Sequence, residues 1–172
     1  GLATGSTPVG MYKELQRRNR NGEISFKDVK TVNLDEYYPI SPDNEQSYRH
    51  FMNENLFNHV DINLSNTHVL NGLAEDPDKE CAEYDALIDS LGGIDLQVLG
   101  IGRNGHIGFN EPDKIFTYAT HKVDLAETTI KANSRFFDSI DDVPKQAISM
   151  GIGTIMKSKK IILMATGEAK AQ

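Results

Sequence analysis

Short apolar runs alternate along the chain with longer stretches in which apolar residues recur every three or four positions. The helical spacing predicts helices over residues 8–18, 44–60, 76–92 and 143–156. Runs rich in β-branched and aliphatic side chains predict strands over residues 29–37, 67–71, 94–102 and 159–166. The runs 94–102 and 159–166 are almost wholly apolar, which is typical of strands buried in a parallel sheet.

The alternation of strands with helices of ten or more residues favours an α/β fold. We expect a three-layer sandwich with a mostly parallel central sheet of the Rossmann-like kind. No repeat, low-complexity tract or linker interrupts the pattern, so we expect residues 1–172 to form one domain. The first residues, "GLATGSTP", resemble the end of a strand, and the last, "ILMATGEAKAQ", stop at the start of a helix. We therefore expect an internal part of a longer chain.

Composition narrows the range of partners. The formal net charge is -7 and the isoelectric point is near 5.2, which argues against nucleic acid as the main partner. A small anionic ligand is not excluded, because it needs only one or two cations. Cys81 is the only cysteine, so the sequence favours a reducing, cytoplasmic location. The longest apolar runs are of strand length, and we expect no membrane partner.

Polar residues follow several predicted strands at their carboxyl ends, where α/β sheets bind ligands. The first such segment precedes a predicted helix that has Thr7 as its N-cap and Pro8 at its first position. Backbone N–H groups at this turn offer a phosphate site, although an ordinary capped turn has the same sequence. The residues of this candidate phosphate site are Thr4, Gly5, Ser6 and Thr7.

Two further strand ends carry candidate acid–base residues. Asp35 and Glu36 end the second predicted strand, where a carboxylate can serve as a general base or can simply be a solvated turn acid. His106 follows the strand 94–102, with Asn104 two residues before it and Glu111 five residues after it. A carboxylate or amide partner fixes the tautomer of a histidine and makes it an oriented acid or base. The alternative is a buried, satisfied histidine in a glycine turn.

The stretch "GIGRNG" matches the dinucleotide-binding pattern G-x-G-x-x-G through Gly100, Gly102 and Gly105, with Asp124 downstream. A dinucleotide turn opens directly into a helix and belongs to the first strand of the fold. Here the chain continues as "HIGFNEP", which ends in Pro112 and is typical of a loop, after a late strand. The pattern therefore argues against a dinucleotide.

Arg135 and Lys170 are candidate cations for an anionic ligand, although a single basic residue is more often a surface charge. Lys170 follows the last predicted strand. The remaining histidines do not pair at ligand spacing, so we expect no metal; they are His50, His59, His68 and His121.

Taken together, the segments "GLATGSTPVGMY", "VNLDEYYPI", "NEQSYRHFMNENLF", "ALIDSLGGIDLQVLGIG", "GIGRNGHIGFNEP" and "TIKANSRFF" resemble the glucosamine-6-phosphate deaminase family, in order and over essentially the whole chain. The resemblance implies a reaction of amino-sugar catabolism, in which glucosamine 6-phosphate and water give fructose 6-phosphate and ammonia. It implies an aldose–ketose isomerisation without an organic cofactor.

The resemblance also implies roles for individual residues. Asp35 is the base that moves a proton between C2 and C1, and His106 assists opening of the pyranose ring. Asn104 and Glu111 position and tune His106. The substrate phosphate is held by Gly5, Ser6, Thr7, Arg135 and Lys170.

Two departures from the family pattern affect these expectations. Many members carry Asp where this chain has Asn104, and an amide orients the ring without supplying charge. His121 and Val123 stand where allosteric hexamers of the family carry basic residues for an effector phosphate. We therefore expect no allosteric control, and a monomer or small homo-oligomer. Residues 125–148 resemble the mobile lid of the family.

Three alternatives remain at this point. A 6-phosphogluconolactonase-like hydrolase has a similar fold and a Gly-His segment, and it is distinguished by lactone hydrolysis without ammonia release. A sugar-phosphate-sensing domain binds without turnover, and its case is weakened by the presence of both Asp35 and His106. A dehydrogenase requires NAD binding.

Overall fold

The computed structural model describes residues 1–134, 137 and 139–170 of the chain. The helices in this part are α1 (Val9–Arg20), α2 (Tyr48–Asn55), α3 (Pro77–Ser90), α4 (Glu127–Asn133) and α5 (Ile152–Met156). The strands are β1 (Thr31–Val32), β2 (Asp35–Tyr38), β3 (Thr67–His68), β4 (Gln97–Gly100), β5 (His121–Asp124), β6 (Gln146–Ser149) and β7 (Ile161–Met164). No helix among the described residues combines the length and apolar character needed to cross a membrane.

Four of the strands pair in parallel. Strand β1 pairs with β3, and β4 pairs with β7, both in parallel. Gly1 and Leu2 lie between these pairs: Leu2 N donates to Val32 O at 2.8 Å, and Val98 N donates to Gly1 O at 2.9 Å. The parallel strands therefore run in the order β7, β4, residues 1–2, β1 and β3, with their carboxyl ends at one edge.

The other three strands form an antiparallel sheet in the order β2, β6 and β5. The chain passes from one sheet to the other between Val32 and Asp35, where Leu34 O accepts a hydrogen bond of 2.7 Å from Met150 N. The single strand predicted over residues 29–37 is thus divided between two sheets. Because of this crossing, Asp35 begins β2 just beyond the carboxyl end of β1.

The helix predicted over residues 143–156 is wrong in its first half. Residues 146–149 form the central strand β6, and only Ile152–Met156 is helical. A short apolar run does not distinguish a buried strand from a buried helix by its spacing. Gly151 divides the two elements, and a Cβ on it would lie 2.2 Å from the carbonyl oxygen of Ala119.

Strand β7 is exposed, although its apolar sequence predicts burial. Leu163 in its centre is 53% exposed, and Ile161 and Ile162 are also exposed. Among the described residues β7 pairs with β4 alone, so it is an edge strand with uncovered side chains. An apolar run predicts the strand but not the number of layers that cover it.

The predicted helix ends agree with the structure for one helix and differ for two others. The prediction over residues 76–92 is confirmed by α3, where the Asp76 carboxylate accepts hydrogen bonds from Asp78 N and Lys79 N. The expected N-cap at Thr7 is wrong: Pro8 occupies the N-cap of α1, and no side chain caps that helix. Helix α2 is shorter than the predicted 44–60, because Leu56 leaves helical geometry with φ -150°.

Three buried clusters join the helices to the sheets. The largest packs α3 and α5 against the parallel strands and β6; it comprises Ala3, Val32, Leu34, Leu70, Cys81, Tyr84, Ile88, Ile94, Leu99, Ile148, Met150 and Ile155. The second packs α1 against α2 and comprises Tyr12, Met52, Leu56, Phe57 and Ile62. The third lies against β2 and β6 and comprises Tyr37, Ile40, Leu125 and Ala147.

Candidate active site

Asp35 is a buried carboxylate at the carboxyl edge of the parallel strands. It is only 6% exposed, and no hydrogen bond from another described residue reaches its carboxylate. Burial raises the pKa of Asp35 to about 8, and the charge of Glu36 acts in the same direction. A carboxylate with this pKa is a stronger base than a solvated one, and its lone pairs remain available to a ligand.

Glu36 is buried next to Asp35, but its carboxylate is hydrogen-bonded to the backbone and has a structural role. Its carboxylate accepts hydrogen bonds of 2.8–3.0 Å from three backbone N–H groups, those of Tyr37, Tyr48 and Arg49. The last two N–H groups open helix α2, so Glu36 joins this helix to β2. Burial raises the pKa of Glu36 to about 7, and the three hydrogen bonds oppose that shift. The structure therefore separates two adjacent acids that their position at the end of a strand leaves equivalent.

The chain after β4 forms a tight glycine turn, which closes with His106. Gly102 N donates to His106 O at 2.9 Å, and Gly105 N donates to Gly102 O at 3.1 Å. A Cβ on Gly102 would lie 2.3 Å from the imidazole ring of His106, so the ring packs directly on this glycine. Gly105 has a φ of +91°, which favours glycine.

Asn104 connects His106 to Glu111. The Asn104 side-chain amide donates through Nδ2 to Glu111 Oε2, and its Oδ1 lies 2.8 Å from His106 Nδ1. A carboxylate can only accept, so Nδ2 must face Glu111 and Oδ1 must face the ring. His106 therefore donates from Nδ1, and Nε2 is the basic nitrogen of the neutral ring. The His106 side chain is 35% exposed, and Glu111 Oε2 lies 4.0 Å from its Nδ1.

The end of the same loop lies against Asp35. Gly108 has a φ of +59°, and a Cβ on it would lie 2.9 Å from Ser149 Oγ and 3.3 Å from Asp35 Oδ2. The loop therefore connects the histidine and the buried carboxylate. Ser149 and Asn110 are not among the site residues predicted from the sequence, because neither residue has a local pattern that reveals its tertiary partners.

The candidate phosphate residues lie at the same edge of the parallel strands, but they are less closely tied to the acid–base residues. Residues 4–7 follow the strand formed by Gly1 and Leu2, and Gly5 has a φ of +84°. No hydrogen bond in the described part of the chain joins these four residues to Asp35 or His106. The Lys170 ammonium donates to Ile101 O at the start of the glycine turn. Arg135 lies outside the described residues.

The path of the chain after β4 argues further against a dinucleotide. The next regular element after Gly100 is strand β5, which begins at His121, so the described turn does not open into a helix. Asp124 lies on β5 and accepts a hydrogen bond of 2.7 Å from Gln146 Nε2. It therefore has a partner within the sheet.

Comparisons with known proteins identify the family of the chain. The model of the family described as glucosamine-6-phosphate isomerases/6-phosphogluconolactonase matches residues 1–172. A glucosamine-6-phosphate deaminase of Clostridium perfringens is 62% identical over 172 residues, which are all of this chain and 71% of that relative. A glucosamine-6-phosphate deaminase of Clostridioides difficile is 62% identical over 171 residues, which are 99% of this chain and 69% of that relative.

Solved structures that are similar to this chain include the same two kinds of enzyme. A monomeric glucosamine-6-phosphate deaminase of the NagB superfamily is 52% identical, with a TM-score of 0.91 over 95% of this chain and 68% of its own. A 6-phosphogluconolactonase from Thermotoga maritima is 20% identical, with a TM-score of 0.72 over 98% of this chain and 70% of its own, and it shares the fold. The chain thus has the Rossmann-like α/β fold of these proteins, and it belongs to the glucosamine-6-phosphate isomerase/6-phosphogluconolactonase family.

Proposed function

We propose that the chain catalyses the isomerising deamination of glucosamine 6-phosphate to fructose 6-phosphate and ammonia. The observation that carries this proposal is that one loop carries the oriented His106 imidazole and, at Gly108, lies against the buried Asp35 carboxylate, so that two different proton-transfer groups belong to one site. An isomerisation that starts from a cyclic sugar needs one group for the ring and another for the carbon acid. The 62% identity to deaminases supports the same choice.

Asp35 is the proposed carbon base. It removes the proton from C2 of the open-chain substrate while O1 takes up a proton from solvent, which gives an enolamine. Return of the proton to C1 leaves an iminium at C2, to which water adds, and ammonia then leaves so that C2 becomes the ketone carbon. The raised pKa of Asp35, about 8, strengthens the carboxylate as a base for this weak acid, because its buried charge lacks the solvation that stabilises an ordinary carboxylate.

His106 is the proposed group for ring opening. Its Nδ1 proton is held by Asn104 Oδ1, so Nε2 is left to exchange a proton with the C1 hydroxyl and the ring oxygen. Glu111 Oε2 lies 4.0 Å from Nδ1, so a carboxylate faces the ring while the ring exchanges protons. Asn104 supplies orientation, and Glu111 supplies the charge.

The substrate phosphate is proposed to bind at the turn before α1. Backbone N–H groups of Gly5, Ser6 and Thr7 and the Lys170 ammonium provide donors, and Arg135 is assigned to the same group from the sequence. A dianion bound at C6 orients C1 and C2 toward Asp35, and its binding energy becomes available for catalysis.

We also propose the domain organisation, the oligomeric state and the location of the protein. Residues 1–172 act as one three-layer α/β unit, because α1 and α2 share one buried cluster and α3 and α5 share another. The protein is a monomer or small homo-oligomer without an effector site, since His121 and Val123 supply no pair of basic side chains. Cys81 is a free thiol, which fits a reducing, cytoplasmic location.

The test is a product assay on the full chain with glucosamine 6-phosphate. We expect stoichiometric fructose 6-phosphate and ammonia, and a decrease in kcat of about 10²–10⁴-fold in Asp35→Asn, the range that a general base contributes. Asp95→Asn is the matched control, because this exposed acid forms a salt bridge with Lys159 away from the candidate site. Lactone hydrolysis without ammonia, binding without turnover, or undiminished activity of Asp35→Asn would each refute the proposal.

A further inference from the structure

Ser149 stands directly opposite Asp35. It is the last residue of β6, is fully buried, and faces Asp35 in the antiparallel register of β2 and β6. Side chains directly opposite in such a pair project from the same face of the sheet. The Ser149 hydroxyl accepts a hydrogen bond of 3.1 Å from the backbone N–H of Phe109. The hydroxyl therefore joins the sheet face that carries Asp35 to the loop that carries His106.

Asn110 makes a second connection between the same loop and strand. It is buried, and its Nδ2 donates to Met150 O, the residue after Ser149, and to Ile107 O, both at 2.9 Å. Both protons of the amide are thus used. Ile107 and Asn110 also exchange backbone hydrogen bonds of 3.2 and 2.9 Å. These bonds close a turn whose central residues are Gly108 and Phe109.

Gly108 lets this turn approach Asp35. A Cβ at position 108 would lie 2.9 Å from Ser149 Oγ, 3.3 Å from Asp35 Oδ2 and 3.7 Å from Asn110 Nδ2. The three polar groups thus surround one face of the glycine. His106 is two residues earlier, so its backbone lies within about 7 Å of Gly108 even if the chain is fully extended.

We infer that Ser149 and Asn110 are positioning residues for the proposed deaminase reaction, because they fasten the turn 107–110 to strand β6 opposite Asp35 and so fix His106 relative to the base. The inference rests on the proposed function. Neither side chain is assigned a proton transfer: the Ser149 oxygen accepts from Phe109, and both Nδ2 protons of Asn110 are donated to backbone carbonyls.

Such fastening matters because the two proton-transfer groups belong to different structural units. Asp35 is fixed by the sheet, whereas the His106 side chain is part of a glycine turn and is 35% exposed. Misplacement of a reacting group by about 1 Å can lower a rate about 100-fold. Loss of the connection is therefore expected to lower kcat while phosphate-dependent binding, and with it KM, stays nearly constant.

The test compares Ser149→Thr with Ser149→Val, which have the same shape and differ only in the hydroxyl. Threonine retains the acceptor for the Phe109 N–H, and valine replaces it with a methyl group. We expect kcat of Ser149→Val to lie about 10–100-fold below that of Ser149→Thr. KM is expected to agree within about threefold, and the pH of half-maximal kcat/KM is expected to be the same in both variants.

Equal kcat values in the two variants, or a loss confined to KM, would overturn the inference. Hydrogen exchange in the wild-type protein provides a second measurement that does not depend on folding of a variant. We expect the Phe109 amide to exchange at least about 100-fold more slowly than an unprotected amide, and an unprotected rate overturns the inference. Wild-type protein that releases no ammonia instead refutes the proposed function, whereas active wild type with equal variants refutes only the positioning role.

Discussion

His106 belongs to the loop after β4 and Asp35 lies against the same loop, but the two are prepared for proton transfer in opposite ways. Asp35 is fixed in a sheet and is only 6% exposed, and burial raises its pKa. His106 lies on a glycine turn with a 35% exposed side chain, and hydrogen bonds through Asn104 to Glu111 set its orientation. The first group is tuned by the removal of solvent and the second by its neighbours.

The difference follows from the chemistry that we propose for each group. Removal of a carbon-bound proton needs a strong base, and burial of a carboxylate away from water provides one at the expense of stability. Ring opening needs a group that both donates and accepts a proton near neutral pH, and an oriented imidazole provides this without deep burial. Substitutions that act on only one of these two regions therefore test the comparison.

Among substitutions outside the two proton-transfer residues themselves, the largest effect is expected from Gly102→Ala, which acts on the histidine region alone. The new Cβ would lie 2.3 Å from the His106 ring and would displace it from Asn104, while Asp35 keeps its surroundings. We expect kcat/KM for glucosamine 6-phosphate to fall about 100-fold, since misplacement of a reacting group by about 1 Å has an effect of this size.

Gly100→Ala is the matched control for this change. Gly100 precedes the same turn, has no positive φ, and has no described atom within 4 Å of the place that a Cβ would occupy. Its kcat/KM is therefore expected to stay within about twofold of wild type. Equal losses in the two variants would mean that the turn responds to any side chain, and that the contact between Gly102 and the ring has no particular importance.

The second prediction concerns the buried region and is measured as stability. The Asp35 pKa rises from 3.8 in the unfolded chain to about 8 in the folded protein. Between these values the folded state binds more protons, so the Asp35 contribution to the free energy of unfolding decreases as pH rises from about 4 to about 8. We expect Asp35→Asn to be more stable than wild type at pH 8.5 by on the order of 2 kcal/mol, and similar to it near pH 4.

Denaturant unfolding of both proteins across this pH range measures the difference. Glu36, whose pKa is raised to about 7, is present in both proteins, and because its charge interacts with Asp35, part of the stability difference reflects this coupling. A stability difference that is independent of pH would contradict the assignment of the Asp35 pKa to burial of its charge.

The two regions also differ in how far the sequence predicts them. Asn104, His106 and Glu111 lie within eight residues of one another, so their association could be expected from the sequence. The relation between Asp35 and Ser149 depends on the antiparallel register of β2 and β6. That register could not be expected, because residues 143–156 have the spacing of a helix and the chain changes sheets without a break between β1 and β2.

Elements with strong local signals were predicted well. Helix α3 begins with a capping aspartate, Asp76, and its predicted and observed extents agree closely. Strands β4 and β7 were predicted from their apolar runs, but the exposure of β7 was not, because burial depends on which elements cover a strand. The distinction between Asp35 and Glu36 likewise depends on helix α2, whose first N–H groups bind Glu36.

The smallest predicted effect concerns the amide at position 104, and it asks whether orientation or charge is required beside the histidine. Asn104→Asp retains an oxygen for His106 Nδ1 but replaces the donor that faces Glu111 with a second carboxylate. We expect kcat/KM to fall about fivefold at neutral pH, because two carboxylates then face each other. Glu111→Gln in the same chain restores a donor opposite the new carboxylate and is expected to recover most of the loss.

A double-mutant cycle in kcat/KM measures this coupling between Asn104 and Glu111, which we expect to be about 1 kcal/mol. Additive losses would mean that the two side chains act independently and that the amide bridge has no part in orienting His106. A coupled recovery would mean that one amide and one carboxylate are required and that their order is interchangeable. In that case the carboxylate of the pair can stand at either position, and Asn104 functions by its geometry.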